Sequence, residues 1–269
     1  MAGPGARAAR EFLAHRGCDR AAAQRYGCGF APDAWDTLLT SAVDARFNDS
    51  LNRPSLAQSF RATSNLALFT PIVNHLKSKS CGGAAGADAD QGDGQGCWNA
   101  ARTSAAEALR DWANSDPTGT GSDNVLIIGD LNSYAMEDPI QTLVGGGLTD
   151  LEPAFGDPDA YSYVFFGQVG SLDHAMSTAA LTPQVSGTVP WNINADEIPS
   201  LDYNTEFGVL PSFYAPTAYR SSDHDPIVVL ESMKMEIPVG APVAGKVKQI
   251  LVAEGDPVQE GQDVAILEG

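Results

Sequence analysis

Short apolar runs that abut Asp, Asn and His constrain this chain more than any other feature. Residues 66–73 run into Asn74-His75-Leu76-Lys77, and 125–128 run into Gly129-Asp130-Leu131-Asn132. Residues 227–230 follow Ser222-Asp223-His224-Asp225-Pro226. Runs of this length bounded by turn residues read as buried strands. Polar groups at strand ends are where α/β proteins place chemistry. Between the first two runs, Leu109 and Trp112 supply the apolar face of a helix, with Asn99 or Thr103 as its cap. Residues 161–166 are aromatic-rich and suit a strand, and 187–220 read as a long polar loop. Strands separated by a helix argue for the α/β class.

The chain has four histidines, and His75, His174 and His224 each stand beside Asn or Asp at an expected strand end. Phosphodiester hydrolysis needs a base for water, neutralisation of phosphate charge and help for the leaving oxygen. A histidine backed by a carboxylate supplies the base, because the carboxylate holds the tautomer and stabilises the imidazolium. Asp130 and Asn132, two apart on an extended segment, point the same way. Taken alone, Gly-Asp-Leu-Asn is an ordinary turn with an Asx hydrogen bond. Three histidines beside Asn or Asp at expected strand ends are what raise the case for chemistry.

Net charge is −18, which opposes passive adsorption to nucleic acid or acidic membranes. A nucleic-acid enzyme of this charge must rely on divalent cations and a few local Lys and Arg. No apolar stretch is long enough to span a membrane, and the N-terminus shows no h-region of a signal peptide. Residues 1–26 are Ala- and Arg-rich, and the shift in charge after them marks a boundary. Of the cysteines, Cys18, Cys28, Cys81 and Cys97, no two have CxxC spacing, which argues against a zinc site. Cys81 and Cys97 bracket a loop rich in Gly and Asp; a disulfide across it and two free thiols both fit the residues.

The ordered motifs NHLKSK (74–79), GDLNSYAMEDP (129–139), SLDHA (171–175) and SSDHDP (221–226) resemble the endonuclease/exonuclease/phosphatase family, which includes pancreatic deoxyribonuclease. RFNDSLNRPSLAQSF (46–60), DADQGDGQGCWNAAR (88–102) and INADEIPSLDYN (193–204) are similar to its large extracellular bacterial nucleases. The resemblance implies two packed mixed sheets flanked by helices, incomplete here because the Glu- and Asn-bearing half-sheet before NHL has no match in residues 1–65. It implies a Mg²⁺-dependent (or Mn²⁺- or Ca²⁺-dependent) phosphodiesterase acting on DNA or RNA outside the cell. His224 would be the general base oriented by Asp173, and Asp130 would position the attacking water. Asn132 would be a phosphate ligand and His75 the histidine that assists the leaving group. Asp223 would be a carboxylate near the metal, and His174 structural. Export, which the resemblance also implies, favours the Cys81–Cys97 disulfide.

From Glu231 the texture turns all-β, with runs at 247–252 and 264–267 separated by Gly255-Asp256 and Gly261-Gln262. Residues 231–268 resemble the second half of a biotin carboxyl carrier domain, in which the Lys of Met-Lys-Met receives biotin from a biotin ligase. Lys234 is the candidate. The expected organisation is an unassigned segment at 1–37, a partial phosphodiesterase domain at 38–230 and a small half-barrel at 231–269. Three functional readings follow: a nuclease, a biotin carrier modified at Lys234, and a hybrid reading frame without function.

Overall fold

The computed structural model describes residues 37–39, 44–61, 66–198, 217, 221–231, 246–251 and 265–268. Contacts divide the chain into two units, residues 1–233 and 234–269.

In the first unit the apolar runs become the middle of a seven-stranded mixed sheet, ordered β1-β2-β4-β5-β9-β6 with β3 also pairing β4. The strands are β1 (Thr37–Leu39), β2 (Arg53–Ala57), β3 (Phe60–Arg61), β4 (Leu68–His75), β5 (Val125–Asp130), β6 (Thr149–Asp150) and β9 (Asp173–Ser177). β4 and β5 run parallel, while β9 is antiparallel to β5. A parallel pair needs a long crossover, and helix α1 (Asn99–Ala113) lies within it.

Alternation along β5 sorts its side chains to opposite faces. Val125 and Ile127 join the cluster built with Ala105, Ala106 and Leu109 of α1 and Ile140 and Leu143 of α2 (Asp138–Gly145). Leu126 and Ile128 join the other cluster, with Leu151 of the short helix α3 (Leu151–Phe155) and with Val185, Ile227 and Val229. The last three belong to β10 (Val185–Pro190) and β11 (Ile227–Glu231), an antiparallel pair. The unit is thus α/β, with α1 and α2 on one face of the large sheet and α3 with a second small sheet on the other. A further hairpin, β7 (Tyr163–Phe165) with β8 (Gln168–Gly170), precedes β9.

Three local expectations are corrected. β10 extends into the start of the stretch read as loop (187–220), because Val185, Thr188 and Pro190 bury while the residues between stay more open, a pattern masked by Ser, Gly and Thr. The N-cap of α1 is Trp98 in a left-handed conformation, not Asn99 or Thr103, and makes no side-chain capping bond. The strand expected at 161–166 is only Tyr163–Phe165, since Phe166 and Gly167 turn the chain back with positive φ.

In the second unit β12 (Lys246–Ile250) pairs antiparallel with β13 (Ala265–Glu268), with a register shift between Val247 and Gln249. Lys234, Cys18 and Cys28 lie outside the described residues.

Candidate active site

Sheet register creates the site. His75 ends β4 and stands opposite Asp130 of β5, and Asp130 stands opposite Asp173, the first residue of β9. Residues opposite one another on adjacent strands share a face, so the three side chains form a row across the sheet end. Gly129 permits this packing: a Cβ there would lie 2.0 Å from the carbonyl oxygen of Asn74. Its φ of 130° is open only to glycine.

His224, from the loop before β11, completes the row. Its Nδ1 lies 2.6 Å from Asp173 Oδ2. Ser162 Oγ donates to the same carboxylate oxygen at 2.7 Å. The Tyr163 ring stacks on the imidazole, with centroids 4.4 Å apart and planes 26° apart. His75 Nε2 stands 3.6 Å from Asp130 Oδ2, beyond a hydrogen bond.

The electrostatics follow from crowded carboxylates. Burial, reinforced by the charge of Asp173, pushes Asp130 up to about 6. Burial alone would lower His224, but the Asp173 hydrogen bond and the surrounding carboxylates outweigh it and raise the imidazole to about 9. Burial and the nearby Arg53 cation hold His75 below its ordinary value. Donor atoms of Asp130, Asp173 and His224 lie within 4.8 Å of one another. Two adjacent carboxylates whose repulsion already lifts one of them suit a hard divalent cation, which favours oxygen ligands. Asp130 and Asp173 are the residues that would hold it, since His224 Nδ1 is engaged with Asp173.

Two expected site residues take different places. Asn132 is buried, and its amide donates to Leu76 O and Asp130 Oδ2, each at 3.0 Å. Its backbone N–H also reaches Asp130 Oδ1 at 2.8 Å, and its φ is 48°, a left-handed conformation that Asn tolerates. These contacts make it a brace for the Asp130 carboxylate rather than a free phosphate donor. Asp223 is exposed and stands outside the three-group cluster, although its charge reaches His75 and His224. His174 is 1% exposed, with Nδ1 3.0 Å from Asp150 Oδ2 and Nε2 2.8 Å from Ser133 O. It is a structural pair outside the row.

Supporting residues had little signal in the sequence. Asp225, 2% exposed, accepts the backbone N–H groups of Ile193, Asn194 and Ala195 at 2.9, 2.8 and 3.0 Å. Asn194 in turn donates to His224 O at 2.9 Å, and Asp225 N donates to Ser162 O at 2.8 Å. Arg102, fully buried in α1, donates to Ser133 Oγ and to the carbonyls of Lys77, Cys97 and Gln95. Lys79 pairs with buried Glu137. Cys81 and Cys97 are disulfide-bonded, with Cα atoms 5.1 Å apart. Among the described residues no helix is long and apolar enough to cross a membrane.

Comparison with known proteins gives two separate likenesses. Residues 222–267 match the family described as "Biotin-requiring enzyme". Over 43 residues, 16% of its length, this chain is 54% identical to the biotinylated protein TB7.3 homolog of Mycobacterium leprae. Over 40 residues, 15% of its length, it is 58% identical to pyruvate carboxylase of Aspergillus niger. The chain spans 61% of the first relative and 3% of the second. Among solved structures, an endonuclease/exonuclease/phosphatase family protein from Bacteroides thetaiotaomicron is 14% identical, with a TM-score of 0.46 over 74% of this chain and 64% of that one.

Proposed function

We propose that the first unit is a metal-assisted phosphodiesterase whose substrate is nucleic acid. The observation that carries the reading is the row of His75, Asp130 and Asp173, completed by His224 bonded through Nδ1 to Asp173. Asp173 fixes the His224 tautomer with Nδ1 as donor and leaves Nε2 to take a proton from water. Ser162 holds Asp173 from behind, so the carboxylate does not swing away when the imidazole charges. Asp130, braced by Asn132, orients the attacking water beside His224. His75, kept neutral by burial, faces the other side of Asp130 and can donate to a phosphate oxygen or the leaving group. A divalent cation held by Asp130 and Asp173 would supply neutralisation of phosphate charge. His224 must shed its own proton before acting as base, so hydrolysis should strengthen as pH rises toward about 9.

The test uses bis(p-nitrophenyl) phosphate and plasmid DNA, with and without chelator. Hydrolysis should require Mg²⁺ or Mn²⁺ and fall by about 100-fold or more in His224→Ala, the scale of one general base. Activity indifferent to both chelator and substitution would overturn the mechanism.

A second reading rests on the family match at residues 222–267: biotin carried on Lys234. The chain spans 61% of the biotinylated relative's length, and a partial small sheet is marginal in water. Labelling by a co-expressed biotin ligase, probed with streptavidin, should therefore be weak. Strong labelling lost in Lys234→Arg would place the carrier reading ahead of the hydrolase.

A further inference from the structure

The β7–β8 hairpin carries apolar side chains where neither folding nor the proposed chemistry calls for them. Phe165 is 52% exposed, Phe166 93% and Val169 61%. Phe166 and Gly167 form the two-residue turn, with φ of 47° and 77°. Such a turn favours Asn-Gly, and a bulky residue there is a conformational outlier. Phe166 thus exposes its ring at a position its backbone disfavours.

The hairpin is also continuous with the site. From the imidazole of His224 the rings proceed to Tyr163 at 4.4 Å, then Phe165 at 6.2 Å with planes 21° apart. Phe166 lies edge-on to Phe165 at 4.5 Å. Tyr163 and Phe165 are two apart on one strand and so share its face. The result is a line of aromatic faces leading from the candidate base to solvent.

We infer that this hairpin is a stacking subsite for unpaired nucleobases flanking the scissile phosphate, so that the substrate is single-stranded DNA or RNA. The inference rests on the phosphodiesterase reading and deepens it. Position argues for this occupant: the ring line starts at the candidate base, so groups flanking the scissile phosphate meet it. At −18 the chain gives a polyanion no bulk attraction, which leaves stacking on base faces to hold it. Unpaired bases offer their faces to aromatic side chains, which duplex bases stacked on one another do not.

The test measures anisotropy of a fluorescein-labelled oligodeoxythymidylate, and of an abasic oligonucleotide of equal length, in chelator to prevent cleavage. The variant is Phe165→Thr/Phe166→Asn, in which Thr suits a strand and Asn suits the turn, so the hairpin should be kept. The wild type should bind the base-bearing probe more tightly than the abasic one, a comparison that needs no variant. The variant should lose about 5- to 140-fold in affinity for the base-bearing probe, the conversion of about 1–3 kcal/mol per stacked base. Its affinity for the abasic probe should not change. Equal wild-type affinity for both probes, or an unchanged variant, would overturn the subsite. So would a hairpin-dependent affinity for phosphatidylcholine vesicles without one for the oligonucleotide, which would make it a lipid contact. Failure of the phosphodiesterase reading is separately visible, as absence of wild-type hydrolysis of the small diester.

Discussion

Asp225 lies next to His224 in sequence, yet its work is to hold a distant loop. Replacing it with Ala removes the carboxylate, whose Oδ1 takes all three bonds, and leaves the N–H groups of Ile193, Asn194 and Ala195 without their acceptor. Asn194 and Ala195 are 4% and 9% exposed, so water cannot readily replace the carboxylate. Each orphaned buried donor costs about 1–3 kcal/mol, and bonds sharing one oxygen are not additive, so the sum should be about 3–5 kcal/mol. That is a large share of the roughly 5–15 kcal/mol typical of a domain. Asp225→Asn keeps the accepting oxygen and should cost about 1 kcal/mol, mainly lost charge assistance. Function should follow the loop. Asn194 ties the same segment to His224 O, so loosening it shifts the imidazole, and a displacement of about 1 Å can cost about 100-fold in rate. Urea unfolding and hydrolysis of bis(p-nitrophenyl) phosphate would be measured on all three proteins. A loss below about 1 kcal/mol for Ala, or Asn as damaging as Ala, would refute the acceptor argument.

Three further outcomes are expected. Removing the disulfide as Cys81→Ala/Cys97→Ala should lower stability by about 3 kcal/mol, the loop-entropy value for a separation of 16 residues, and unfolding unchanged by the double substitution would contradict it. Arg102→Met should cost about 3–5 kcal/mol in urea unfolding, because Glu137 stays buried beside a lost cation; a loss under about 1 kcal/mol would show that Lys79 alone suffices. Asp130 and His224 both bind protons more tightly folded than unfolded, so their own contributions to stability are fullest at low pH and are lost in two steps as pH rises. One step lies between 3.8 and about 6 for Asp130, the other between 6.5 and about 9 for His224. Mg²⁺ should raise the melting temperature at pH about 8 in wild type and not in Asp130→Ala, since the cation relieves the carboxylate repulsion; an equal rise in both would remove Asp130 from the metal site.

Composition and spacing alone were enough to locate β4, β5 and β11 and the polar groups beside them. Strand burial and turn chemistry are local properties, and a run such as Val125-Leu126-Ile127-Ile128 has few other uses. Asp130 and His224 stood out for the same reason, as titratable groups at strand ends, whereas Asp173 was named only through the family resemblance. Pairing of distant segments belongs to the tertiary structure. Register puts His75, Asp130 and Asp173 in one row, and a slip of one residue would send a side chain to the opposite face. Nothing near Asp225 marks it as the acceptor for residues 193–195 and Asp223 as exposed, because both are aspartates flanking one histidine. Arg102 in an Ala-rich helix reads as a surface cation until the fold closes carbonyls from 77, 95 and 97 around it. Asn132 reads as a free donor until Leu76 O and Asp130 occupy its amide. Short-range chemistry is written in neighbours along the chain, whereas the state of a polar group depends on which distant backbone atoms folding brings within 3 Å or so of it.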